Sequence, residues 1–463
     1  MSSNFFIRKP KGNLKRGINS KSNKQTKRAK NSVEKKLVSK SIDSDEISSE
    51  EDSIIHHSED EASDNFVSAQ EKKITLAKKY IEEIEKEEKE RLESGDIQNN
   101  VVTRLREDIL SQAGRLSKKV ADKVTKPVDE EIKMLRCKEH KLSLTCVVVS
   151  PDSKFVFSAS KDAVIVKWSV ESKTKVGVIL SKHKQKDAKF KEYSHTSSIL
   201  ALSISFDGKY LASGDGGSII QIWNTNSLSH LHSFRGHKSS ITGLSFCNES
   251  NNLYSCSKDR SIRIWNLDEM SYVEALFGHQ CGITDIDVLR KDRAVSSGGT
   301  DNTLRVWKVQ EESQLIFNGH QKSIDRVRRL DQQHFLSCGD DGQICIWGVL
   351  KKKPLSIVHG AHGIDVSNNQ PNWITSISCL PNSDLIVSGS SDGYLRFWKC
   401  EENLRNISPL FTIPVVGFIN DISFSKDEKF LVIGVGQEHR LGRWFTQKSA
   451  RNSILFIPLT QNS

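Results

Sequence analysis

Residues 236–265 read GHKSSITGLSFCNESNNLYSCSKDRSIRIW, and this stretch contains the pattern that decides the fold. A Gly-His pair opens it, three short runs with many apolar residues follow, and Trp265 closes it. Apolar and polar residues alternate within the runs, and residues typical of turns separate them. Short alternating runs bounded by turn residues predict β-strands.

Related segments recur along the chain, and each ends in a tryptophan. The closing residues are Trp168, Trp223, Trp265, Trp307, Trp347, Trp398 and Trp444, at separations of 55, 42, 42, 40, 51 and 46 residues. A repeat of about 40–45 residues that holds four strands is typical of a WD40 β-propeller blade. Each segment has the strand order d-a-b-c. The sequence therefore predicts an all-β, seven-bladed WD40 propeller.

Two further positions repeat with the tryptophans. A histidine opens six segments (His140, His195, His237, His279, His320, His362), and an aspartate stands six residues before the tryptophan in five (Asp162, Asp259, Asp301, Asp341, Asp392). The resemblance to WD40 blades implies a buried chain of His, a Ser of strand b, Asp and Trp, as in His237, Asp259 and Trp265, in His279, Asp301 and Trp307, and in His320, Asp341 and Trp347. Every member of such a chain needs a partner, so these histidines are interpreted as structural rather than catalytic.

Two segments depart from this rule. The second has Gly217 at the aspartate position, and the seventh has Glu438 there and no opening histidine. These two blades must hold their turns in another way. The sequence also leaves open whether residues 132–135 or residues 454–457 supply the outer strand of the last blade.

The domain organisation follows from composition. We expect a disordered charged arm over 1–67, short amphipathic α-helices over 68–130, and the propeller over 131–463. Nine cysteines, an odd number without a C-x-x-C pair, are typical of core residues in a reducing compartment, and no metal site or cofactor is expected. The sequence shows neither a signal peptide nor an apolar run of membrane-spanning length, so we expect a soluble intracellular protein without membrane contact.

The charge distribution points to the propeller as the basic part of the chain. Residues 1–131 hold 27 Lys and Arg against 26 Asp and Glu, which leaves 41 against 32 for residues 132–463. A rigid basic ring suits phosphate binding because neutralising phosphates releases counterions. The alternative is a mildly basic surface without a function.

The arm contains separate basic and acidic blocks. Residues 1–40 hold thirteen Lys or Arg and one acid, and residues 41–64 hold ten acids and no Lys or Arg. Two basic clusters with ten residues between them have the spacing of a bipartite nuclear-import signal: Lys15, Arg16, Lys27, Arg28 and Lys30. The alternative is an unspecific polybasic arm.

The helical extension carries two apolar stripes, formed by Ile74, Ala77, Ile81 and Ile84, and by Leu105, Ile109, Leu116 and Val120. A single apolar stripe cannot bury itself on an isolated helix. We therefore expect it to dock on the propeller or on a partner protein, and the sequence does not distinguish the two.

Two clusters are candidates for RNA binding. A long connection between strands d and a contains Lys182, Lys184, Lys186, Lys189 and Lys191; a second long connection, 363–372, leads into Trp373 and marks the same face. The seventh segment holds Gln437, His439, Arg440, Arg443, Arg451 and Asn452, whose arginines offer fork-like donors to phosphates and base edges. The alternative for the lysines is a solvated charge run, and Trp373 is expected to begin a strand rather than to stack on a base.

The chain resembles the family of U3 small nucleolar RNA-interacting WD40 proteins. The resemblance rests on strings that generic WD40 repeats lack, such as 69–73, 104–110, 272–280, 434–444 and 450–453. It implies a non-enzymatic RNA-binding subunit of the U3 small nucleolar ribonucleoprotein, acting in the nucleolus on the 18S ribosomal RNA precursor. The implied partners are U3 RNA, a kink-turn-binding protein, other box C/D subunits and the small-subunit pre-ribosome. The alternative is a protein-only WD40 scaffold or adaptor in another nuclear complex.

Deleting residues 11–30 is expected to leave a folded propeller that stays in the cytoplasm, because both basic clusters of the import signal are removed. Fluorescence microscopy of a tagged chain measures this. A truncated chain that still fills the nucleolus would show that import does not depend on these clusters.

Overall fold

The computed structural model describes residues 118–460 apart from 129, 186–187, 249, 366–368 and 402, together with residues 75, 78 and 79. Thr75, Lys78 and Lys79 are helical. The predicted import signal, the acidic block and the apolar stripes upstream of residue 118 lie outside the described residues.

Seven four-stranded antiparallel sheets follow one another around a ring, which confirms the predicted propeller. Blades 1 to 3 consist of β2 (Leu144–Val149), β3 (Phe155–Ser160), β4 (Ile165–Ser169) and β5 (Lys175–Ile179); β6 (Ile199–Ile204), β7 (Tyr210–Asp215), β8 (Ile219–Asn224) and β9 (His230–Arg235); β10 (Ile241–Phe246), β11 (Asn252–Ser257), β12 (Ser261–Asn266) and β13 (Ser271–Phe277). A short helix, α1 (Ala188–Tyr193), lies between blades 1 and 2.

Blades 4 to 6 have the same plan. Their strands are β14 (Ile283–Arg290), β15 (Arg293–Gly298), β16 (Thr303–Lys308) and β17 (Ser313–Asn318); β18 (Ile324–Arg329), β19 (His334–Gly339), β20 (Ile344–Gly348) and β21 (Lys351–Val358); β24 (Ile374–Cys379), β25 (Leu385–Ser390), β26 (Tyr394–Cys400) and β27 (Ile407–Pro414). A small hairpin, β22 (Ile364–Asp365) and β23 (Gln370–Pro371), precedes blade 6.

The apolar core lies between neighbouring blades. Ile222 and Phe234 of blade 2, for example, pack with Ile241, Leu253 and Trp265 of blade 3. The rings of Phe234 and Trp265 stack with their centroids 4.7 Å apart. Burying one such large side chain stabilises the fold by about 1.5–3 kcal/mol. Each blade therefore depends on its neighbour to cover its apolar face.

Threonines on the inner strands join neighbouring blades. Each hydroxyl donates a 2.6 Å hydrogen bond to the carbonyl of the first residue of the next inner strand, or in one case the second: Thr145 to Ile199, Thr242 to Ile283, Thr284 to Ile324, and Thr375 to Ile419. Between blades 7 and 1 an amide takes this role, since Asn420 Nδ2 donates to the Leu144 carbonyl at 2.6 Å. The ring is thus closed by the same kind of bond that links its other blades.

The two segments considered for the outer strand, residues 132–135 and 454–457, both belong to the last blade. Its sheet has the order β1 (Lys133–Leu135), β30 (Ser453–Pro458), β29 (Phe430–Gly436) and β28 (Phe418–Phe424). The C-terminal segment is therefore the third strand, and the N-terminal segment is the outer strand, with Lys133 opposite Phe456. The two ends of the propeller meet in one sheet.

The interpretation of Trp444 as the closing tryptophan of blade 7 is wrong. The other six tryptophans lie in the third strands of their blades, whereas Trp444 lies in the loop 437–452 between β29 and β30 and is 60% exposed. Ile457 stands opposite Leu431, as Trp265 stands opposite Leu253 in blade 3. A long loop replaces the tight turn between β29 and β30, and for this reason Trp444 falls near the repeat spacing without lying in a strand.

A segment that precedes β1 packs against blades 6 and 7. Val120, Ala121 and Val124 are buried with residues of both blades, and the amides of Val120 and Ala121 donate to Asp384 Oδ1 at 2.8 and 3.0 Å. Val120, the last residue of the predicted second stripe, therefore docks on the propeller, but residues 118–128 form turns and isolated bridges instead of the predicted α-helix.

Changing Val124 to Asp is expected to destabilise the ring by more than about 2 kcal/mol, because it places an unpaired carboxylate in this core. Val128→Asp is the matched control, since Val124 is 6% exposed and Val128 is 61% exposed. Thermal melting of both variants measures the difference. Equal melting temperatures would show that the segment adds nothing to the stability of the ring.

Candidate nucleic-acid interface

One face of the ring combines the connections that lead from an outer strand to the next inner strand with the turns between second and third strands. Contacts between the two kinds of loop establish this, since His237 in one pairs with Asp259 in the other at 2.9 Å. We call this surface the d–a face. The lysine loop (residues 180–198) and loop 437–452 both belong to it.

Buried polar chains hold this face in shape. In blade 3, Trp265 Nε1 and His237 Nε2 each lie 2.8 Å from Ser255 Oγ, and His237 Nδ1 faces Asp259. The same arrangement joins His279, Ser296, Asp301 and Trp307, and also His320, Ser337, Asp341 and Trp347. Burial lowers the pKa of His279, which keeps this imidazole neutral.

Blades 1 and 2 use different partners. Gly217 cannot hold an imidazole, and Asp215 at the end of β7 does so instead, with Oδ2 3.0 Å from His195 Nδ1. In blade 1, His140 Nδ1 lies 2.9 Å from Ser160 Oγ, whereas Asp162 accepts from the Leu142 amide. The repeated aspartate is thus not always the residue that binds the histidine.

Two side-chain amides stabilise loop 437–452. Gln437 Nε2 donates to the Ala450 carbonyl at 2.8 Å, and Asn452 Oδ1 accepts from the Gln437 amide at 3.1 Å. Asn452 Nδ2 also donates to the Lys141 carbonyl at 2.9 Å. Gln437 and Asn452, predicted as RNA contacts, therefore hold the loop together.

The predicted arginines separate into two groups. Arg443 and Arg451 are exposed, and Arg443 Nε lies 3.0 Å from Glu438 Oε2. Arg440 is 1% exposed, and its guanidinium points into the channel of the ring. The prediction that Arg440 presents its donors to an RNA is corrected by this geometry, because the side chain is buried and its Nη1 and Nη2 atoms donate to protein carbonyls.

His439 does not reach the surface either. It is 1% exposed, and its ring stacks on Trp373 with centroids 4.4 Å apart, while Trp444 lies 5.6 Å away. Burial lowers its pKa well below the usual range, so it carries no charge for a phosphate. Trp373, expected to begin a strand, lies directly before β24. Its ring lies at the d–a end of the channel, where Nε1 donates to Asp325.

The lysine loop presents several cations on the same face. Lys184 and Lys191 are exposed and Lys182 is half-buried, while α1 contains Lys189 and Lys191. Lys186 lies outside the described residues. The ends of the loop are tied by a hydrogen bond from the Lys182 amide to the His195 carbonyl at 3.0 Å.

The turn between β3 and β4 connects the two clusters. Lys161 Nζ lies 3.1 Å from Glu438 Oε2, which also accepts from Arg443, and the adjacent Asp162 lies 3.4 Å from Lys184 Nζ. The lysine loop and loop 437–452 thus form one continuous surface across blade 1. Sequence reasoning missed Lys161 and Lys141 because neither belongs to a basic cluster in the chain.

The part of the chain that the structure describes contains neither a metal-binding cluster nor a membrane-spanning helix. Among those residues no group of three His, Cys, Asp or Glu side chains could hold a metal ion. No helix among them is long and apolar enough to cross a bilayer. Seven of the nine cysteines are buried, as expected for core residues.

Comparison with protein families identifies repeats of one kind. The WD domain, G-beta repeat family matches residues 132–169, 188–224, 228–266, 270–308, 311–348 and 364–399. Each range ends with the third strand of one of the first six blades. The matched ranges end before the divergent seventh segment, in which the third strand lacks a tryptophan.

Individual relatives cover most of the chain. U3 small nucleolar RNA-interacting protein 2 of Mus musculus and of Homo sapiens are each 52% identical to it over 394 residues, which is 84% of this chain and 82% of each relative. The solved structure of U3-55K is similar with a TM-score of 0.69 and 47% identity, covering 72% of this chain and 100% of the other. Ribosomal RNA-processing protein 9 of Saccharomyces cerevisiae is 36% identical over 170 residues, 30% of each chain.

Asp301→Ala is expected to destabilise the ring by about 1–3 kcal/mol, because His279 Nδ1 loses its buried partner. Asp162→Ala is the matched control and should cost less, since His140 is held by Ser160. Thermal melting ranks the two. If Asp301→Ala melted like the parent chain, the buried polar chain of blade 4 would not be stabilising.

Proposed function

This chain belongs to the family of U3 small nucleolar RNA-interacting WD-repeat proteins, and on that premise we propose that it binds U3 RNA through its d–a face. The family membership rests on 52% identity over most of the chain. The observation that supports this site is a continuous surface on which four basic side chains outnumber two acidic ones: Lys184 pairs with Asp162, Lys161 and Arg443 share Glu438, and Arg451 is exposed.

The physical case concerns shape and charge. A folded RNA is recognised largely through its shape, its phosphates and its 2′-hydroxyls, which requires donors at fixed positions. The d–a face supplies them on a ring whose turns are fixed by buried polar chains, such as the one from Trp265 to Asp259. Arginine forks bind phosphate oxygens with directional bonds, whereas lysines act as point charges.

The role within the particle follows from the family. We propose that the chain is a non-enzymatic subunit of the U3 small nucleolar ribonucleoprotein that acts in processing the small-subunit ribosomal RNA precursor in the nucleolus. A kink-turn-binding protein and other box C/D subunits are its proposed neighbours. The histidines of the blades support a scaffold, because they are buried and hydrogen-bonded within the protein, as His279 is with Asp301 and Ser296.

Changing Arg443 and Arg451 together to Ala is expected to weaken binding to U3 box B/C RNA while the melting temperature changes little, because both side chains are exposed. The plot of log affinity against log salt should become shallower by roughly one unit for each phosphate that is no longer neutralised. A salt series with purified chain and RNA measures both quantities. Unchanged affinity and slope would leave loop 437–452 as a protein-docking surface.

Neutralising Lys184 and Lys191 to Gln gives the complementary measurement. The loss of affinity is expected to be similar for U3 RNA and for an unrelated hairpin, because point charges discriminate little between RNA shapes. The ratio of the two affinities is the readout. A loss confined to U3 RNA would show that the lysine loop, rather than loop 437–452, recognises its shape.

A further inference from the structure

Arg440 reaches across the channel to the opposite side of the ring. Its guanidinium donates to the carbonyls of Thr242 and Thr284, each at 3.4 Å, and of Asp325 at 2.8 Å. These residues lie on the inner strands of blades 3, 4 and 5, whereas Arg440 belongs to the loop of blade 7. One side chain thereby ties four blades together.

The backbone of Arg440 is held at the other end. Its amide donates to Asn420 Oδ1 at 3.0 Å, and Asn420 is the residue whose Nδ2 closes the ring onto Leu144. The Asn420 side chain also donates to the Glu438 carbonyl at 2.9 Å. Loop 437–452 is thus fixed to the inner strand of its own blade on both sides of His439.

Carboxylates in the channel compensate the buried positive charge of Arg440. Arg326 bridges Asp421 and Asp285 at 3.1 and 3.4 Å, and Arg328 also pairs with Asp285. Burial and the neighbouring Arg326 lower the pKa of Arg440 to about 10, so that it remains charged at neutral pH. Asp285, Asp325 and Asp421 supply the opposing charges that favour a cation at this point.

We propose that the channel is a guanidinium-binding site which the protein fills with its own Arg440, and that Arg440 is a positioning residue for the RNA surface. It touches no RNA itself and instead fixes the loop from which Arg443 projects. The aromatic stack of Trp373, His439 and Trp444 covers it from the d–a face. The positioning role of Arg440 rests on the proposed function.

The chemistry of the site favours arginine over lysine. Carbonyls from three strands converge on one planar group, and guanidinium has five N–H donors in a fixed plane, whereas ammonium has three donors at one point. With Arg440 in place, the carbonyls of Thr242, Thr284 and Asp325 already have a guanidinium partner.

Arg440→Ala tests the proposal through three measurements on the full chain. Hydrogen exchange of residues 437–452 should become faster, because the tether across the channel is lost. Affinity for U3 box B/C RNA should fall by at least about tenfold, equivalent to about 1.4 kcal/mol. The salt dependence of binding should keep the parental slope, since every group that binds phosphate is still present.

Chemical rescue makes the test specific for the channel. Methylguanidinium at a non-denaturing concentration should restore slow exchange and RNA affinity to Arg440→Ala, and the same concentration of ammonium should not. Arg443→Ala is the matched control, three residues away and exposed, and should show no rescue. Arg440→Lys should lie between the parent chain and Arg440→Ala, which preserves the test if the alanine variant folds poorly.

The proposal is overturned if Arg440→Ala leaves exchange and affinity unchanged. It is equally overturned if affinity falls with a shallower salt slope and unaltered exchange, because Arg440 would then contact phosphate directly. Should the parent chain fail to bind U3 RNA, the proposed function falls. Exchange and rescue would then still decide whether the channel binds guanidinium.

Discussion

The pairing of β1 with β30 is the interaction on which the rest of the molecule depends. A propeller buries its apolar surfaces between blades, so that an open ring would expose the faces of two blades to water. Here the N-terminal strand completes the sheet of blade 7, and Asn420 joins that blade to Leu144 of blade 1. The d–a face and the channel network both span this junction, through the pairs Lys161–Glu438 and Val147–Asp421.

Six of the seven predicted blades rest on local signals. Histidine, aspartate and tryptophan recur in the same order within one segment, with the aspartate six residues before the tryptophan, and a missing aspartate was detectable at Gly217, although its replacement Asp215 was not assigned. Blade 7 has no such signal. Its third strand carries Ile457 where other blades have tryptophan, and its loop places Trp444 at a misleading distance. The closing strand depends on a contact between the ends of the propeller, which no local pattern contains.

The candidate site shows the same limit at the level of single side chains. Arg440 and Arg443 are chemically identical and three residues apart, and the sequence assigned both to RNA. Only the closed ring distinguishes them. It brings the carbonyls of Thr242, Thr284 and Asp325 to Arg440, whereas Arg443 is exposed to solvent. Loop 437–452 thus combines the buried side chain of Arg440 with the exposed side chains of Arg443 and Arg451.

The sheet of blade 7 also has a consequence for synthesis of the chain. Lys133 leaves the ribosome early but pairs with Phe456, so its strand waits for almost the entire propeller to be translated. Domains fold as units, and contacts between distant residues form late and slowly. A chain that stops before residue 453 lacks the strand to which β1 pairs, and its channel cannot be sealed. The sheet of blade 7 is therefore completed only after β30 has been translated.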